Sequence, residues 1–328
     1  MEITVRNVNQ AFSEVFWRLK AHNLKPEQTR NGPVLAFPEP VTTTYTAPEE
    51  RVLFHSGRDA NPIFHVLESI WILAGRRDVA FLQQFNSRIG NYSDDGVTFN
   101  AAYGYRMRHH FGRDQLVDVI ELLRREPTSR QAVIQLWDPA DLTKSTKDKA
   151  CNTEIIFDAR SRQSGLNMTV FNRSNDIWWG AYGANAVHFS ILQEFVAQAV
   201  KMRIGTYRQV SNNFHLYTEL YDAQKYVEQP FSADTYDYYS EGTVSPLPLM
   251  VNANYEQFLD DCETFCCDPF NKNRKYKSPF ITHVARPMAM VSRVRKTKEW
   301  DGRYYAAQIR AEDWRTAVFE WIGRRDKN

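Results

Sequence analysis

Apolar positions in the first part of the chain recur at spacings that predict helices joined by extended segments. Residues 3–22 place apolar side chains near helical spacing, which predicts an amphipathic helix. Residues 33–54 are rich in valine, threonine, tyrosine and phenylalanine with prolines between them, which favours strands and turns. Residues 62–73, with a mostly apolar body, and residues 114–125 predict two further helices. This part of the chain therefore combines helices with short strands.

Farther along, short apolar runs predict strands and one longer run predicts a buried helix. The strands are predicted at residues 131–137, 153–157 and 166–171. Residues 186–203 carry apolar side chains almost all round, a pattern typical of a helix buried on every side. Helices followed by strands and a long buried helix indicate an α+β fold.

The C-terminal third has a weaker pattern. Residues 229–290 include a polar and aromatic stretch followed by prolines, which favours a loop or a small subdomain. Residues 304–322 predict a helix, and residues 323–328 predict a frayed end. No repeat, low-complexity tract or obvious linker interrupts the chain, so we expect one domain over residues 1–328.

The composition narrows the class of protein. Of the 328 residues 43% are hydrophobic, enough to bury a sizeable core, and the formal net charge is only +2. That charge provides no broad basic field, so no direct nucleic-acid binding is expected. No apolar run approaches the ~20 residues of a membrane span, and the first residues lack the features of a signal peptide. Four cysteines do not build a disulfide framework here, so we expect a cytoplasmic protein.

Cys151 is the first candidate for chemistry. Lys147 and Lys149 precede it, and polar residues follow it. A partly exposed, electropositive setting lowers the pKa of a thiol and favours the nucleophilic thiolate. The alternative is a small buried hydrophobe, which is the commonest role of a free cysteine. The local sequence alone leaves the two interpretations even.

Three short segments suit the binding of a phosphate. Arg173-Ser174 combines a guanidinium fork with a neighbouring hydroxyl group. Ser129-Arg130 offers a similar pair, and in Arg30-Asn31-Gly32 the glycine lets the backbone approach an anion. Each segment alone is also common in solvated loops.

Further polar residues lie within apolar segments. Glu68 is either the wet edge of its helix or a buried carboxylate with a raised pKa, and its apolar flanks favour the second. His215 and Tyr217 lie two residues apart and so share one side of a predicted strand. They form either a half-exposed strand edge or a pair of hydrogen-bond donors for one hydroxyl group of a ligand. Cys262 and Cys266 lack the further ligands that zinc needs, so no metal is expected.

Taken together and in order, these residues resemble the thymidylate synthase superfamily over roughly residues 1–220. Tyr103-Gly104 and Gly180 add to the match, and Arg173-Ser174-Asn175-Asp176 also resembles the pyrimidine nucleotide (dCMP or dUMP) hydroxymethylases. The resemblance implies a mixed sheet packed on helices and a homodimer with its interface across the sheet and a shared active site. It further implies a pyrimidine nucleoside monophosphate substrate and 5,10-methylenetetrahydrofolate as co-substrate. The region of residues 229–328 diverges from it.

The resemblance also implies roles for individual residues. Cys151 attacks C6 of the base, Glu68 organises water and proton transfer, and Tyr103 assists removal of the C5 proton. Asp176 meets the pterin of the folate and counts among the catalytic residues, and Trp71 joins it in binding the co-substrate. The implied substrate-binding residues are Arg30, Arg130 from the other subunit, Arg173, Ser174, Asn152, Asn185, His215 and Tyr217.

Departures from the synthase pattern bear on the final step. Synthases place proline before the cysteine and histidine after it, whereas this chain has Ala150-Cys151-Asn152. Residues 85–102 lack the tryptophans that shield the reactive methylene, and Asp326-Lys327-Asn328 does not form an apolar tail. Because exclusion of water lets hydride reduce that methylene, the missing features favour hydroxymethylation. Methylation by a thymidylate synthase is the alternative.

The identity of the base stays open at this stage. An asparagine amide pairs with uracil, so Asn185 favours uracil if it occupies the base-binding position. The segment Gly180–Asn185 is one residue longer than in synthases, which places Ala184 in the simple register. We therefore expect a dUMP or dCMP hydroxymethylase that supplies modified nucleotides for viral DNA.

Overall fold

A computed structural model describes residues 1–161, 163–219, 227, 236–250, 254–297 and 302–326. Within these residues the chain forms strands in two sheets and helices that cover them. The strands are β1 Glu2–Val5, β2 Glu27–Thr29, β3 Gly32–Ala36, β4 Val41–Tyr45, β5 Val133–Gln135, β6 Asn152–Asp158, β7 Leu166–Asn172, β8 Asn175–Asp176, β9 Ile204–Ser211 and β10 Phe214–Tyr217.

The two sheets meet where one strand passes into the next. The larger sheet has the order β1-β4-β9-β7-β6-β5, and its β1–β4 and β7–β9 pairs are parallel. The smaller sheet has the order β2-β3-β10-β8, with β8 and β10 parallel. After Asn172 the chain leaves the larger sheet and enters the smaller one at Asn175. This junction brings groups from both sheets together. The mixed sheets and helices confirm the predicted α+β fold.

Helices pack against the sheets and connect their strands. The longer ones are α1 Val8–His22, α2 Pro62–Leu73, α3 Val79–Gln83, α4 Gln115–Arg125, α5 Asn185–Ala199, α6 Tyr255–Cys267, α7 Arg286–Thr297 and α8 Glu312–Asp326. Short helical turns are Ser56–Arg58, Ile89–Tyr92, Tyr103–Tyr105, Pro139–Leu142 and Arg303–Ala306, and π-helical turns are Arg106–His110, Ile177–Ala184 and Ile281–Ala285. No described helix is long and apolar enough to cross a membrane.

Capping residues fix where the predicted helices begin. The helices predicted at residues 62–73 and 114–125 are confirmed, with Asn61 and Asp114 accepting hydrogen bonds at their N-termini. The helix predicted from residue 3 begins only at Val8, because Asn7 caps it and residues 2–5 pair with β4. The predicted strands and turns at residues 33–54 correspond to β3 and β4.

Two predicted elements are shorter than expected. The strand predicted at residues 131–137 is reduced to Val133–Gln135, because the amides of Leu136 and Trp137 both donate to the carbonyl of Thr153 and end the ladder. The long helix ends at Ala199 instead of continuing to residue 203. Lys201 there adopts a left-handed backbone with φ 57°.

The C-terminal third is more helical than predicted. Part of the segment expected to be a loop forms α6 and α7, while residues 229–235 and 251–253 lie outside the described ranges. The helix predicted over residues 304–322 is broken, because the amide of Arg310 donates to the carbonyl of His283. The expected fraying from residue 323 is wrong as far as residue 326, since Asp326 pairs with Arg295 and Arg303.

One hydrophobic core joins these layers. Every residue of α5 except Gln198 is buried, as its apolar pattern predicts. Glu194 of α5 pairs with buried Arg51 at 2.5 Å and accepts a hydrogen bond from the amide of Leu249. Side chains of α6, α7 and α8 belong to the same buried cluster as those of α2 and α5. The C-terminal helices therefore support the layer that carries the candidate site.

Candidate functional site

Cys151 lies at the start of β6 and is held from both sides. The carboxylate of Asp148 accepts a hydrogen bond from the amide of Ala101 at 2.8 Å. On the other side, the hydroxyl of Tyr103 donates to Oδ1 of Asn152 at 2.9 Å. The Cys151 loop is thus tied twice to the segment that carries Tyr103. The buried Nδ2 of Asn152 has no hydrogen-bond partner among the described residues.

The charge around the thiol differs from the expectation. Burial raises the pKa of Cys151, the carboxylates of Asp148 and Asp176 act in the same direction, and Arg173 opposes them. The neighbouring lysines expected to lower the pKa do not determine it, because burial of the sulfur outweighs them. The expected reactive thiol is therefore a neutral group until charge or solvation changes around it.

Arg173 links the thiol to a surface that suits an anion. Its Nε donates to the carbonyl of Ala150 at 2.8 Å, and its Nη2 lies 3.8 Å from Sγ of Cys151. The guanidinium also lies over the ring of Trp137 at 5.7 Å, and the side chain is exposed. Ser174 beside it is half-buried. The predicted pair thus stands next to the cysteine with donors left for a phosphate.

Asp176 is a desolvated carboxylate at the junction of the sheets. Its Oδ2 accepts a hydrogen bond from the amide of Trp179 at 2.6 Å, and its buried Oδ1 has no partner in the described chain. Burial raises the pKa of Asp176 to about 6, although that hydrogen bond and Arg58 oppose the change. Such a carboxyl group can hold or release a proton near neutral pH.

His215 and Tyr217 lie on one side of β10, as their spacing predicts. Their rings meet edge to face with centroids 5.0 Å apart, and His215 is aligned with Asp176 on β8. Burial lowers the pKa of His215, so its ring is neutral at pH 7. The hydroxyl of Tyr217 accepts a hydrogen bond from Asn31 at 3.5 Å, while Arg30 is exposed in the same turn.

Glu68 meets a histidine that the sequence reasoning missed. It is the one residue of α2 that is not buried, and its Oε2 lies 3.2 Å from Nε2 of His188 on α5. The two atoms are close enough for an ion pair, but their angles do not form a hydrogen bond. The ring of His65 meets that of His188 edge to face, and burial lowers the pKa of His65. Like Glu68, His188 is a polar residue within an apolar helical segment, and this pattern could have indicated it from the sequence.

A π-helical turn absorbs the extra residue of the Gly180–Asn185 segment. Residues Ile177–Ala184 form this turn, with non-helical backbone at Tyr182 and Gly183. As a result Asn185, rather than Ala184, points toward the junction and donates from Nδ2 to Oδ1 of Asn175 at 3.1 Å. The turn therefore places the side chain of Asn185 beside Asn175, at the junction of the two sheets.

Two predicted site residues lie apart from this group. Trp71 is buried against Phe99, and its indole N–H has no partner within the described ranges. Arg130 is exposed just before β5, at the outer edge of the larger sheet. Among the described residues, no cluster of histidine, cysteine or acidic side chains could hold a metal ion.

Comparisons with known proteins agree with this arrangement. The family profile described as thymidylate synthase matches residues 55–234. A deoxyuridylate hydroxymethyltransferase of Pseudomonas phage M6 is 43% identical over 98% of this chain and 94% of its own length. A protein of the same description from Bacillus phage SP01 is 40% identical over 56% of this chain and 51% of its own length.

A solved structure shares the fold. The thymidylate synthase of T4 phage matches with a TM-score of 0.53 and 19% identity, covering 66% of this chain and 79% of that one. The family match and the relatives together define a one-carbon transferase that depends on folate. The chain belongs to the thymidylate synthase family.

Proposed function

We propose that this protein transfers a hydroxymethyl group to C5 of deoxyuridylate, with 5,10-methylenetetrahydrofolate as co-substrate. The observation that carries the choice of base is the position of Asn185 beside Asn175 at the sheet junction, because an asparagine amide can pair with the N3–H and O4 of uracil. Relatives described as deoxyuridylate hydroxymethyltransferases support the same choice. Their phage origin suggests a role in supplying modified nucleotides in the cytoplasm of an infected cell.

The nucleotide is held by its phosphate and its sugar. Arg173 and Ser174 lie beside Cys151 and offer donors to the phosphate, as Arg30 does from its exposed turn. His215 and Tyr217 share one side of β10 and suit the 3′-hydroxyl of the sugar. A phosphate dianion would bring negative charge to Arg173 and so weaken its effect on the thiol pKa. The thiol would therefore ionise only when C6 of the base is in place to bond to the sulfur.

Covalent activation precedes carbon transfer. Cys151 loses its proton to solvent and its sulfur bonds to C6. The C5–C6 electron pair moves to C5, which attacks the one-carbon unit as one of that carbon's two bonds to folate nitrogen breaks. The C5 proton then passes to a base assisted by Tyr103, and tetrahydrofolate leaves. Burial raises the pKa of Tyr103 above its usual range, so its hydroxyl acts as a neutral hydrogen-bond donor and proton carrier.

Water completes the reaction. A water oxygen bonds to the exocyclic methylene and gives its proton to the Glu68 carboxylate, which His188 faces at 3.2 Å. The displaced electron pair restores the C5–C6 double bond and expels the sulfur of Cys151. Residues 85–102 bring no tryptophan to shield the methylene, which supports water over hydride as the reactant.

The donor set fits a folate. The buried Oδ1 of Asp176 has no hydrogen-bond partner among the described residues. It can therefore accept hydrogen bonds from the pterin N–H groups. Trp71, the second residue proposed to contact the folate, is buried and packs edge to face against Phe99. The bound folate supplies the one-carbon unit, and Asp176 holds its pterin near C5 of the base.

We propose that two copies of the chain assemble through the open face of the larger sheet. Aligned, partly exposed side chains cross this face in one row: Val133, Ile156, Thr169, Arg208 and Thr44. Phe171 and Val210 form part of the next row. This row of partly exposed apolar and polar side chains suits a twofold interface, and it would bring Arg130 of a second copy toward the phosphate site.

The test is to incubate the protein with methylenetetrahydrofolate and dUMP, dCMP or CMP in turn. We expect 5-hydroxymethyl-dUMP by mass spectrometry and release of tritium from dUMP labelled at C5. Cys151→Ala should abolish both, whereas Cys267→Ala, which changes an exposed cysteine, should preserve them. A 5-methyl product, or activity that survives Cys151→Ala, contradicts the proposal.

A further inference from the structure

A chain of buried amides runs from the backbone to Asn185. Nε2 of Gln209 donates to the carbonyl of Ala181 at 2.9 Å and to the hydroxyl of Tyr45 at 3.2 Å. Oε1 of Gln209 accepts from Nδ2 of Asn175 at 3.2 Å, and Oδ1 of Asn175 accepts from Nδ2 of Asn185. All three amide side chains are buried.

The backbone carbonyl fixes the orientation of every amide in this relay. A carbonyl only accepts hydrogen bonds, so Gln209 must turn its NH2 group toward Ala181 and its oxygen toward Asn175. Asn175 must then donate to Gln209, and it also donates to Ser211 at 3.0 Å. Its oxygen is left to accept from Asn185. Reversing any member would place two acceptors or two donors face to face in a buried site.

The relay leaves Asn185 with a defined polarity. Its NH2 group has one hydrogen committed to Asn175, and its Oδ1 has no partner among the residues described. The side chain therefore offers an acceptor together with one remaining donor. Uracil presents the complementary pair, a donor at N3 and an acceptor at O4, whereas cytosine presents an acceptor at N3 and a donor at its amino group.

We propose that Gln209 and Asn175 are specificity-determining positioning residues that lock the amide of Asn185 in the orientation that accepts uracil and rejects cytosine. The inference rests on the proposed function, because it concerns the same nucleotide site. An asparagine free to turn over would serve either base. The relay removes that freedom, so base choice depends on residues that never touch the nucleotide.

A close approach of the backbone supports the same arrangement. A Cβ added to Gly180 would lie 2.8 Å from Oδ1 of Asn175 and 3.5 Å from Nδ2 of Asn185. The glycine therefore leaves room for the Asn175–Asn185 hydrogen bond. It lies in the same π-helical turn that ends at Ala184, next to Asn185.

The test compares kcat/KM for dUMP and dCMP. In Gln209→Met the anchor is lost, and we expect the dUMP-to-dCMP ratio to fall at least about ten-fold, the scale of one mismatched buried hydrogen bond. Gln193→Met is the matched control. Gln193 lies on the same helix as Asn185 and is as fully buried as Gln209. It donates to backbone carbonyls away from the relay, so its loss should leave the dUMP-to-dCMP ratio unchanged.

A second variant keeps the inference falsifiable if Gln209→Met does not fold. Asn175→Ala breaks the relay without adding bulk, and it should lower the same ratio. A wild-type ratio in either folded variant overturns the relay. If the wild-type protein acts on neither nucleotide, the proposed function fails instead, so the two failures are distinguishable. A ratio that falls in the control as much as in the variants also overturns the inference.

Discussion

At the scale of single residues, burial rather than neighbouring charge sets the chemistry of the site. The thiol of Cys151 and the carboxyl of Asp176 both have pKa values raised mainly by loss of solvent. Lysines next to the cysteine suggested the opposite from sequence alone. The lysines are not among the groups that act on the thiol pKa, whereas Asp148 between them raises it and Arg173, which the fold brings to the sulfur, lowers it.

Asp148→Asn should make the thiol more acidic. The substitution removes a negative charge that faces Cys151 while an amide oxygen still accepts from Ala101, so the thiol pKa should fall. The measurement is the pH dependence of alkylation of Cys151 by iodoacetamide, followed on its own peptide. Arg173, Asp176 and Tyr103 also face the sulfur and stay unchanged.

The matched control is Asp158→Asn at the other end of β6. Its alkylation profile should coincide with that of the wild type. An unchanged or raised thiol pKa in Asp148→Asn contradicts the electrostatic account.

Asp176→Asn should flatten the pH dependence of stability. The folded-state pKa of about 6 lies above the usual value of an unfolded aspartate, so ionisation destabilises the folded state as pH rises from about 4 to 7. Over this interval the free energy of unfolding of the variant, relative to that of the wild type, should increase by on the order of 1 kcal/mol. Urea denaturation at several pH values measures this, and parallel pH curves would rule it out.

At the scale of elements, the predictable features are those with a local cause. Helix α2 begins at Pro62 behind an asparagine cap, and α5 is buried as its apolar pattern requires, so both could be read from the sequence. The broken helix near Arg310 and the short β5 depend on hydrogen bonds to distant segments. Likewise, Arg173 and Asp176 were found as a motif, whereas His188, Asp148 and the Gln209 relay become visible only when strands and helices are brought together.

Gly104→Ala tests the packing of the Tyr103 turn on α2. A Cβ at this position would lie 2.0 Å from the backbone oxygen of Ile72, so the turn or the helix must move. We expect a loss of at least about 3 kcal/mol in the free energy of unfolding, measured by denaturant titration. The same substitution at Gly323 in α8 meets open space and should be neutral or stabilising. Equal stability of the two variants would contradict the close approach.

At the level of assembly, the proposed role of Arg130 requires a second copy of the chain. Arg130 stands at the sheet edge, away from Cys151, while the larger sheet carries an aligned row of partly exposed side chains. This row is therefore the surface that we propose for a second copy of the chain. The resemblance to a family suggested this assembly; no local pattern in the sequence could have done so.

Mixing two inactive variants tests the shared site. Cys151→Ala and Arg130→Ala should each have little activity, but random exchange of subunits should restore about a quarter of the wild-type sites, since half of the dimers each regain one. Activity is measured after mixing and equilibration. Two Cys151→Ala preparations mixed in the same way provide the control. No recovery, with dimers demonstrated by ultracentrifugation, would mean that Arg130 serves its own subunit.

The unpartnered polar atoms around the junction link folding to the supply of substrate. Within the described chain, Asn152, Asp176 and His215 each bury a polar atom without a partner, which weakens the free protein. A nucleotide or folate that satisfies these atoms binds only the folded state and therefore stabilises it. Cells depleted of these metabolites would lose the enzyme to proteolysis faster, so its abundance would follow its own substrate pool.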